Sequence, residues 1–142
     1  MLSSWMSIPS RVYRRLRGGA TSPERIHEYY ARRTDSDAQL RQEVLFAVAC
    51  GREYAENIVR ELGRPNEPMP DLSSLSVVEL GPGINFGASL VCAMLGARVV
   101  VFDKYLVEWH EAYHPRFYRL LRAELEASAQ QFDLRVLDQV IA

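Results

Sequence analysis

Hydrophobic residues recur at two different spacings along the chain, and the change of spacing separates a helical part from a strand-bearing part. Between residues 38 and 62 apolar side chains return at helical intervals, which predicts one long helix. Gly63 and Pro65 are expected to end this helix, and Gly51 is expected to mark a bend in it. The apolar positions are Leu40, Val44, Ala47, Val48, Ala55, Ile58, Val59 and Leu62.

An earlier helix is predicted from Ser22 to about Arg33. Ser22 provides a capping hydroxyl, Pro23 suits the first helical position, and Glu24 suits the positive end of the helix dipole. The "TDSD" stretch at 34–37 is predicted to be a turn that caps the long helix.

The strand-bearing part follows a loop at 64–76 that contains three prolines. Residues 76–80 and 98–102 are short apolar runs without polar alternation, which predicts two strands buried on both faces. The apolar segment 86–96 between them predicts a helix. Strand, glycine turn, helix and strand in this order form a βαβ unit, so the fold class is α/β.

Two further helices are predicted after this unit. One runs from about Pro115 to Gln131, and the other is indicated by the spacing of Leu134, Leu137 and Ile141. The domain organisation that we predict has a basic N-terminal arm at 1–20, a helical region with a Pro-rich linker at 21–70, and a partial α/β domain at 71–142.

Composition narrows the function classes only a little. The chain has 142 residues and a formal net charge of −1, which gives no indication of nucleic-acid binding. No apolar run approaches the roughly 20 residues that span a bilayer. Cys50 and Cys92 have no metal-binding spacing, so we expect reduced thiols and a cytoplasmic protein.

The N-terminal arm is basic and has two interpretations. Arg11, Arg14, Arg15 and Arg17 occur there without any acidic residue. The segment is either a solvated arm or first helix that packs on the domain, or an amphipathic segment that contacts anionic lipid.

The segment "VVELGPGINFG" at 77–87 is where the sequence indicates a ligand. Gly81 and Gly83 follow the first strand, and glycines there allow a ligand to approach the backbone without a Cβ in the way. Asp103 ends the second strand, 20 residues after Gly83. Ligands on parallel sheets bind at the carboxyl ends of strands, and a carboxylate there can accept hydrogen bonds from a ribose diol.

The same segment argues against phosphate ligands. A dinucleotide fingerprint requires a third glycine where Phe86 stands, and a P-loop requires a lysine that residues 83–90 lack. Glu79, two residues before Gly81, would repel a diphosphate. An acidic residue at this position favours a ligand that carries positive charge.

The segments "VVELGPGINFG" and "ARVVVFDKY" resemble the first motif and second strand of class I S-adenosylmethionine-dependent methyltransferases. The resemblance implies a partial Rossmann-like, doubly wound fold with S-adenosylmethionine as cofactor. Glu79 would hold the amino group of the methionine moiety, Asp103 would bind the ribose hydroxyls, and Lys104 and Tyr105 would flank the adenine. The cofactor turn would be formed by Gly81, Pro82, Gly83 and Gly87. Asn85, which tolerates left-handed backbone, stands where many members carry their third glycine.

The predicted sheet is smaller than the resemblance requires, because only two strands are evident where the family has seven. We therefore expect either a fragment or short relative of such an enzyme, acting on a small-molecule acceptor, or a half-sheet completed by a partner chain or a second copy. A nicotinamide- or nucleotide-binding Rossmann fragment is an alternative, and a non-catalytic protein that pairs with another chain is a second. No catalytic residue is assigned, and whether the chain is an enzyme stays open.

Two histidines and four aromatic residues form the remaining candidates. His110 and His114 are four residues apart and are either a general base or metal pair, or structural residues of an aromatic connector. The aromatic residues are expected either to line a substrate pocket or to cover the sheet edge; they are Trp109, Tyr113, Phe117 and Tyr118.

Overall fold

A computed structural model describes residues 36–64, 70–103, 109–128 and 131–141. The helix predicted from Ser22, the basic arm, and Lys104 and Tyr105, which the resemblance places beside the adenine, lie outside the described residues. The described elements, in chain order, are α1 (Asp37–Glu61), β1 (Ser76–Leu80), α2 (Gly87–Met94), β2 (Arg98–Phe102), α3 (His114–Glu126) and α4 (Arg135–Ile141). None of the helices in these ranges has the length and apolarity needed to cross a membrane.

The long helix α1 confirms the helical spacing of the sequence. The Ser36 hydroxyl accepts a hydrogen bond from the Gln39 backbone N–H at 3.4 Å and caps the helix, and Asp37 lies at the positive end of its dipole. Gly63 adopts a φ of 74° just beyond the last turn, a conformation that suits glycine. The helix continues without interruption through Gly51, which is a packing position.

The two predicted strands are confirmed and pair in parallel. Their register aligns Ser76 with Arg98 and Leu80 with Phe102, so the strands begin and end level. The prediction that they are buried on both faces is wrong for the described chain: Val78 is 58% exposed and Leu80 is 78% exposed. Among the described elements, helices cover only the face that carries Val77 and Glu79, and the apolar pattern of the other face has no such cover.

The core lies between α1, α2 and α3. Helix α2 packs directly on α1, and α3 packs mainly on α1 and α4. A Cβ added to Gly51 would lie 2.4 Å from Val91 Cβ, and one added to Gly87 would lie 2.5 Å from Ala47 Cβ. The two helices can approach this closely because each has a glycine at the contact.

The final helices confirm the predicted order of elements. Helix α3 begins at His114, with Pro115 in its first turn where proline is tolerated. It ends at Glu126 and not near Gln131, because the Ser128 N–H turns back to the Leu125 carbonyl at 3.2 Å. Helix α4 matches the predicted last helix, and Leu137 is its fully buried residue.

Candidate functional site

The glycine turn after β1 is the site that the sequence indicates, and its backbone is left-handed at two positions. Gly81 has a φ of 70° and Gly83 a φ of 77°, values that side chains disfavour. Among the described residues, a Cβ built on either glycine would have no atom within 4 Å. The Gly81 N–H donates to the Phe102 carbonyl at 2.8 Å, which fixes the start of the turn against the end of β2. The turn is therefore anchored at one end and faces open space.

Asp103 lies next to this turn through the strand register. Leu80 pairs with Phe102, so Gly81 and Asp103 are the residues that follow the ends of the two strands. The Asp103 side chain is exposed. A carboxylate and a turn that contains two left-handed glycines thus lie at the same edge of the sheet, as the sequence predicts.

The segment from the turn into α2 departs from the sequence-based expectation. Phe86, and not Asn85, is the left-handed residue, with a φ of 52°. Asn85 Oδ1 accepts the Gly87 N–H at 2.9 Å and so takes one of the donors that a helix start leaves without an intrahelical partner. Gly87 is buried against Ala47 and Phe117. Helix packing therefore requires a glycine at 87, whereas left-handed backbone favours glycine at 81 and 83.

Glu79 lies on the face of the sheet that α1 and α2 cover, and it is half-buried. Its Oε2 accepts a hydrogen bond from the Ser89 hydroxyl of α2. Burial, followed by the negative charge of Glu79, raises the pKa of the Cys92 thiol to about 11. Burial also raises the pKa of Cys50 and of Tyr54, and the charge of Glu79 contributes to both increases. The electrostatic potential around Glu79 is therefore negative.

Two residues at the start of α3 hold the segment between the turn and α2, and sequence reasoning gave them no such role. Asn85 Nδ2 donates to the Tyr113 hydroxyl at 3.1 Å, and this hydroxyl donates to Glu43 Oε2 of α1 at 2.6 Å. His114 Nε2 lies 3.0 Å from the Ile84 carbonyl oxygen. The spacing of these residues in the sequence carries no signal of the contact, because the partners are 28 to 70 positions apart.

The ring of His114 is a structural group and not a metal ligand. Its Nδ1 accepts the His110 backbone N–H at 2.8 Å, so Nε2 carries the proton that is donated to Ile84. The ring is 2% exposed and stacks on Trp109 with centroids 5.0 Å apart. Burial lowers the pKa of His114, which favours this neutral form. Because both ring nitrogens serve backbone groups, His114 fits the second of the two interpretations, a structural residue of the aromatic connector.

The aromatic residues of the connector pack around His114 and not along the sheet edge. Tyr113 and Phe117 are fully buried and stack with centroids 5.8 Å apart, and Phe117 lies close to Gly87. Tyr118 stacks on His114 at 5.9 Å. The cluster therefore supports the start of α2 from below the glycine turn.

A concave region lies at the end of β1 opposite to the glycine turn. It is an open groove of about 470 Å³ between the last turns of α1 and the start of the strand. Its lining is mostly apolar and consists of Asn57, Ile58, Glu61, Leu62, Leu75, Ser76, Val77 and Val78. The groove shares no residue with the glycine turn.

Comparison with known proteins gave no match to a protein-family model, a curated protein or a solved structure.

Proposed function

We propose that the chain binds S-adenosylmethionine at the turn between β1 and α2, as a methyltransferase-like cofactor domain with a partial Rossmann-like fold. The observation that carries the proposal is the geometry of Gly81 and Gly83. Both are left-handed, neither has an atom of the described residues within 4 Å of its Cβ position, and both lie at the sheet edge that Asp103 shares. Such a turn allows a ligand to lie directly against the backbone.

The charge near the turn favours this cofactor over a phosphate-bearing one. Glu79 lies two residues before Gly81, and its negative charge contributes to the raised pKa values of Cys50, Tyr54 and Cys92. A diphosphate would meet this negative charge, whereas the amino group and sulfonium of S-adenosylmethionine are attracted by it. Phe86 also occupies the place where a dinucleotide site has its third glycine.

The proposal gives a separate role to each of the residues around the glycine turn. The backbone of Gly81, Pro82 and Gly83 forms the contact surface, and Asp103 accepts hydrogen bonds from the ribose hydroxyls. The Ser89 hydroxyl donates to Glu79 Oε2. The other carboxylate oxygen of Glu79, Oε1, would accept a hydrogen bond from the amino group of the cofactor. When bound, the cofactor supplies a methyl group to a nucleophilic acceptor.

The setting of the reaction is also part of the proposal. We propose a small-molecule acceptor, because the formal net charge of −1 offers no general attraction to nucleic acid. Reduced cysteines suit a cytoplasmic location. Cell fractionation with an antibody to the chain would test the location, and recovery in a membrane or secreted fraction would contradict it.

Calorimetric titration with S-adenosylhomocysteine tests the proposal, with NAD⁺ as the parallel control. We expect saturable binding of the first ligand only. Asp103→Ala should weaken it at least about tenfold, since hydrogen bonds to a charged group are worth roughly 1.5–3 kcal/mol. Glu79→Gln keeps the shape and removes the charge, and it should weaken binding to a similar degree. Binding of NAD⁺ would favour the Rossmann oxidoreductase alternative, and a folded chain that binds neither ligand would contradict the proposal.

A second candidate function is that of a half-sheet that pairs with a second copy of the chain. The observation that favours it is the exposure of apolar residues on one sheet face, with Leu80 at 78% and Val78 and Phe102 each at 58%. Strand edges without a partner favour such pairing. Light scattering over a range of concentrations tests it: a dimer that Val78→Lys dissociates supports pairing, and a monomer at all concentrations excludes it.

A further inference from the structure

The glycine turn is attached to the rest of the molecule mainly through its far end, at residues 84–87. The Gly81 N–H is anchored by the Phe102 carbonyl, whereas no described residue lies within 4 Å of the Cβ position of Gly83. The next attachment points along the chain are the Ile84 carbonyl and the Asn85 side chain, and both are bound by residues at the start of α3.

The two attachments come from adjacent residues but reach different parts of the segment. His114 donates its Nε2 proton to the Ile84 carbonyl, and its Nδ1 is fixed by the His110 N–H. The Tyr113 hydroxyl accepts from Asn85 and donates to Glu43, so it joins α1 to the segment. Tyr113 is 0% exposed and His114 is 2% exposed, so water does not readily replace either contact.

The backbone of the segment requires such support. Phe86 has a φ of 52°, a left-handed conformation that a residue with a large side chain rarely adopts. Residues in such conformations persist where their surroundings determine them, and they are concentrated at ligand clamps. Asn85 supplies part of this support when it accepts the Gly87 N–H.

We propose that Tyr113 and His114 are positioning residues that hold residues 84–87 in the conformation that keeps the glycine turn open to its ligand. Neither side chain contacts the ligand. Contacts at the start of α3 therefore determine both the order of the turn and the affinity of the site. The second consequence rests on the proposed function, whereas the first holds without any ligand.

The direct measurement on the unaltered chain is the tautomer of His114. Long-range ¹H–¹⁵N spectra at neutral pH distinguish the neutral Nε2–H form from the Nδ1–H form and from the imidazolium. We expect the Nε2–H form. An Nδ1–H form or an imidazolium would overturn the proposal, because neither is compatible with the contact to Ile84 and the contact to His110 at the same time.

A pair of substitutions separates the hydrogen bond from the ring. His114→Phe keeps a ring that can stack on Trp109 but removes the donor, whereas His114→Gln keeps a side-chain N–H with similar reach. We expect the Gly87 amide to exchange with solvent about tenfold faster in His114→Phe, the change that the loss of one hydrogen bond of about 1.4 kcal/mol produces. In His114→Gln the rate should stay close to that of the unaltered chain.

Leu121→Ala is the matched control, because Leu121 is fully buried on the same helix two turns further on. It should lower global stability without a selective effect on Gly87. Equal exchange at Gly87 in all three variants, after correction for global stability, would overturn the proposal.

Titration with S-adenosylhomocysteine then tests the consequence for the site. Affinity should fall about tenfold in His114→Phe and Tyr113→Phe and be retained in His114→Gln. Unchanged affinity in His114→Phe would overturn the coupling. If the unaltered chain does not bind this ligand, the proposed function fails, while the exchange measurement still decides the positioning role.

Discussion

Four glycines around the β1–α2 connection form two pairs that occur for opposite physical reasons. Gly51 and Gly87 lie on the closed side of the unit, where a Cβ would come within 2.5 Å of an atom on a facing helix. Gly81 and Gly83 lie on the open side, where a Cβ would have no atom of the described chain within 4 Å but the backbone is left-handed. The first pair is required by space and the second by conformation.

This difference shows why a glycine-rich motif is an ambiguous signal. Gly87 follows the turn in sequence and was predicted to join it as a cofactor residue, yet its surroundings are those of Gly51 and not of Gly83. The two reasons predict different responses to the same substitution. A glycine required by space affects stability, and a glycine required by conformation beside a ligand site affects binding more than stability.

The largest expected effect is that of Gly51→Ala on the closed side. The added methyl would overlap Val91 Cβ, which belongs to a packed helix and cannot rotate away. We expect the free energy of unfolding to fall by about 3 kcal/mol, as for an overpacked core. Urea denaturation followed by circular dichroism measures it. Gln42→Ala, at an exposed position of the same helix, should change the free energy of unfolding by less than about 0.5 kcal/mol. Equal effects of the two substitutions would show that Gly51 is not required by the space between the helices.

The next largest effect is a loss of stability at high pH that arises from the Cys92 thiol on the closed side. The Cys92 thiol has an ordinary pKa of 9.0 and a folded-state pKa of about 11, so its contribution to stability is present below pH 9 and is lost as the pH rises towards 11. We expect the folded state to lose about 2 kcal/mol between pH 8 and pH 10.5 because of this group.

Denaturation of Cys92→Ala at both pH values isolates the contribution of the thiol, since other groups titrate alike in both proteins. The difference between the two proteins should shrink by about 2 kcal/mol at the higher pH. A difference that does not change with pH would mean that the thiol is accessible to water in the folded protein.

A smaller loss of stability is expected for Gly83→Ala on the open side. A left-handed alanine costs roughly 1–2 kcal/mol, and the stiffer unfolded chain offsets part of this, so the net loss should be about 1 kcal/mol. Gly63→Ala is the matched control, because Gly63 has a φ of 74°, open surroundings and no place in the site. Both variants should lose similar stability, but only Gly83→Ala should weaken binding of S-adenosylhomocysteine. Equal binding by the two variants would show that the open turn is not the ligand site.

The smallest effect is expected at the rim of the closed side, where Arg116 of α3 pairs with Asp37 of α1 at 2.5 Å. The Asp37 side chain is 76% exposed, so solvent screens the pair. Arg116→Ala should lower the free energy of unfolding by about 0.5 kcal/mol at most, and less in high salt. Thermal unfolding at two salt concentrations checks this. A loss comparable to that of Gly51→Ala would show that the packing of α1 on α3 depends on charge.

The order of elements could be predicted from the sequence because it follows from local patterns. The helical spacing of α1 and the apolar runs of β1 and β2 need no long-range information. The exposure of Val78 and Leu80 could not be predicted, because an apolar run has the same appearance whether or not a second layer covers it. The same limit applied to Gly51, for which a glycine within a helical pattern indicates a bend or a close contact equally well.

The residues of the candidate site that lie at the strand ends could be predicted from the sequence, whereas the residues that support the glycine turn could not. Gly81, Gly83 and Asp103 follow from a motif in one continuous segment. The role of His114 depends on a contact with Ile84, 30 positions away, which no spacing rule conveys. The left-handed backbone of Phe86 could not be predicted either, because asparagine at the preceding position tolerates that conformation better than phenylalanine does.

The level, parallel register of β1 and β2 also has a consequence for the order of folding. Ser76 and Arg98 are 22 positions apart, so the pairing of the strands closes a short loop, whereas Ala47 and Gly87 are 40 positions apart. Contacts that are close in sequence form earlier, on average, than distant ones. We expect the transition state for folding to contain the strand pair before α1 docks, with φ-values higher for Val99→Ala than for Val44→Ala, and the reverse order would contradict this. The glycine turn would then exist as a connection between paired strands before the helices that support it have assembled.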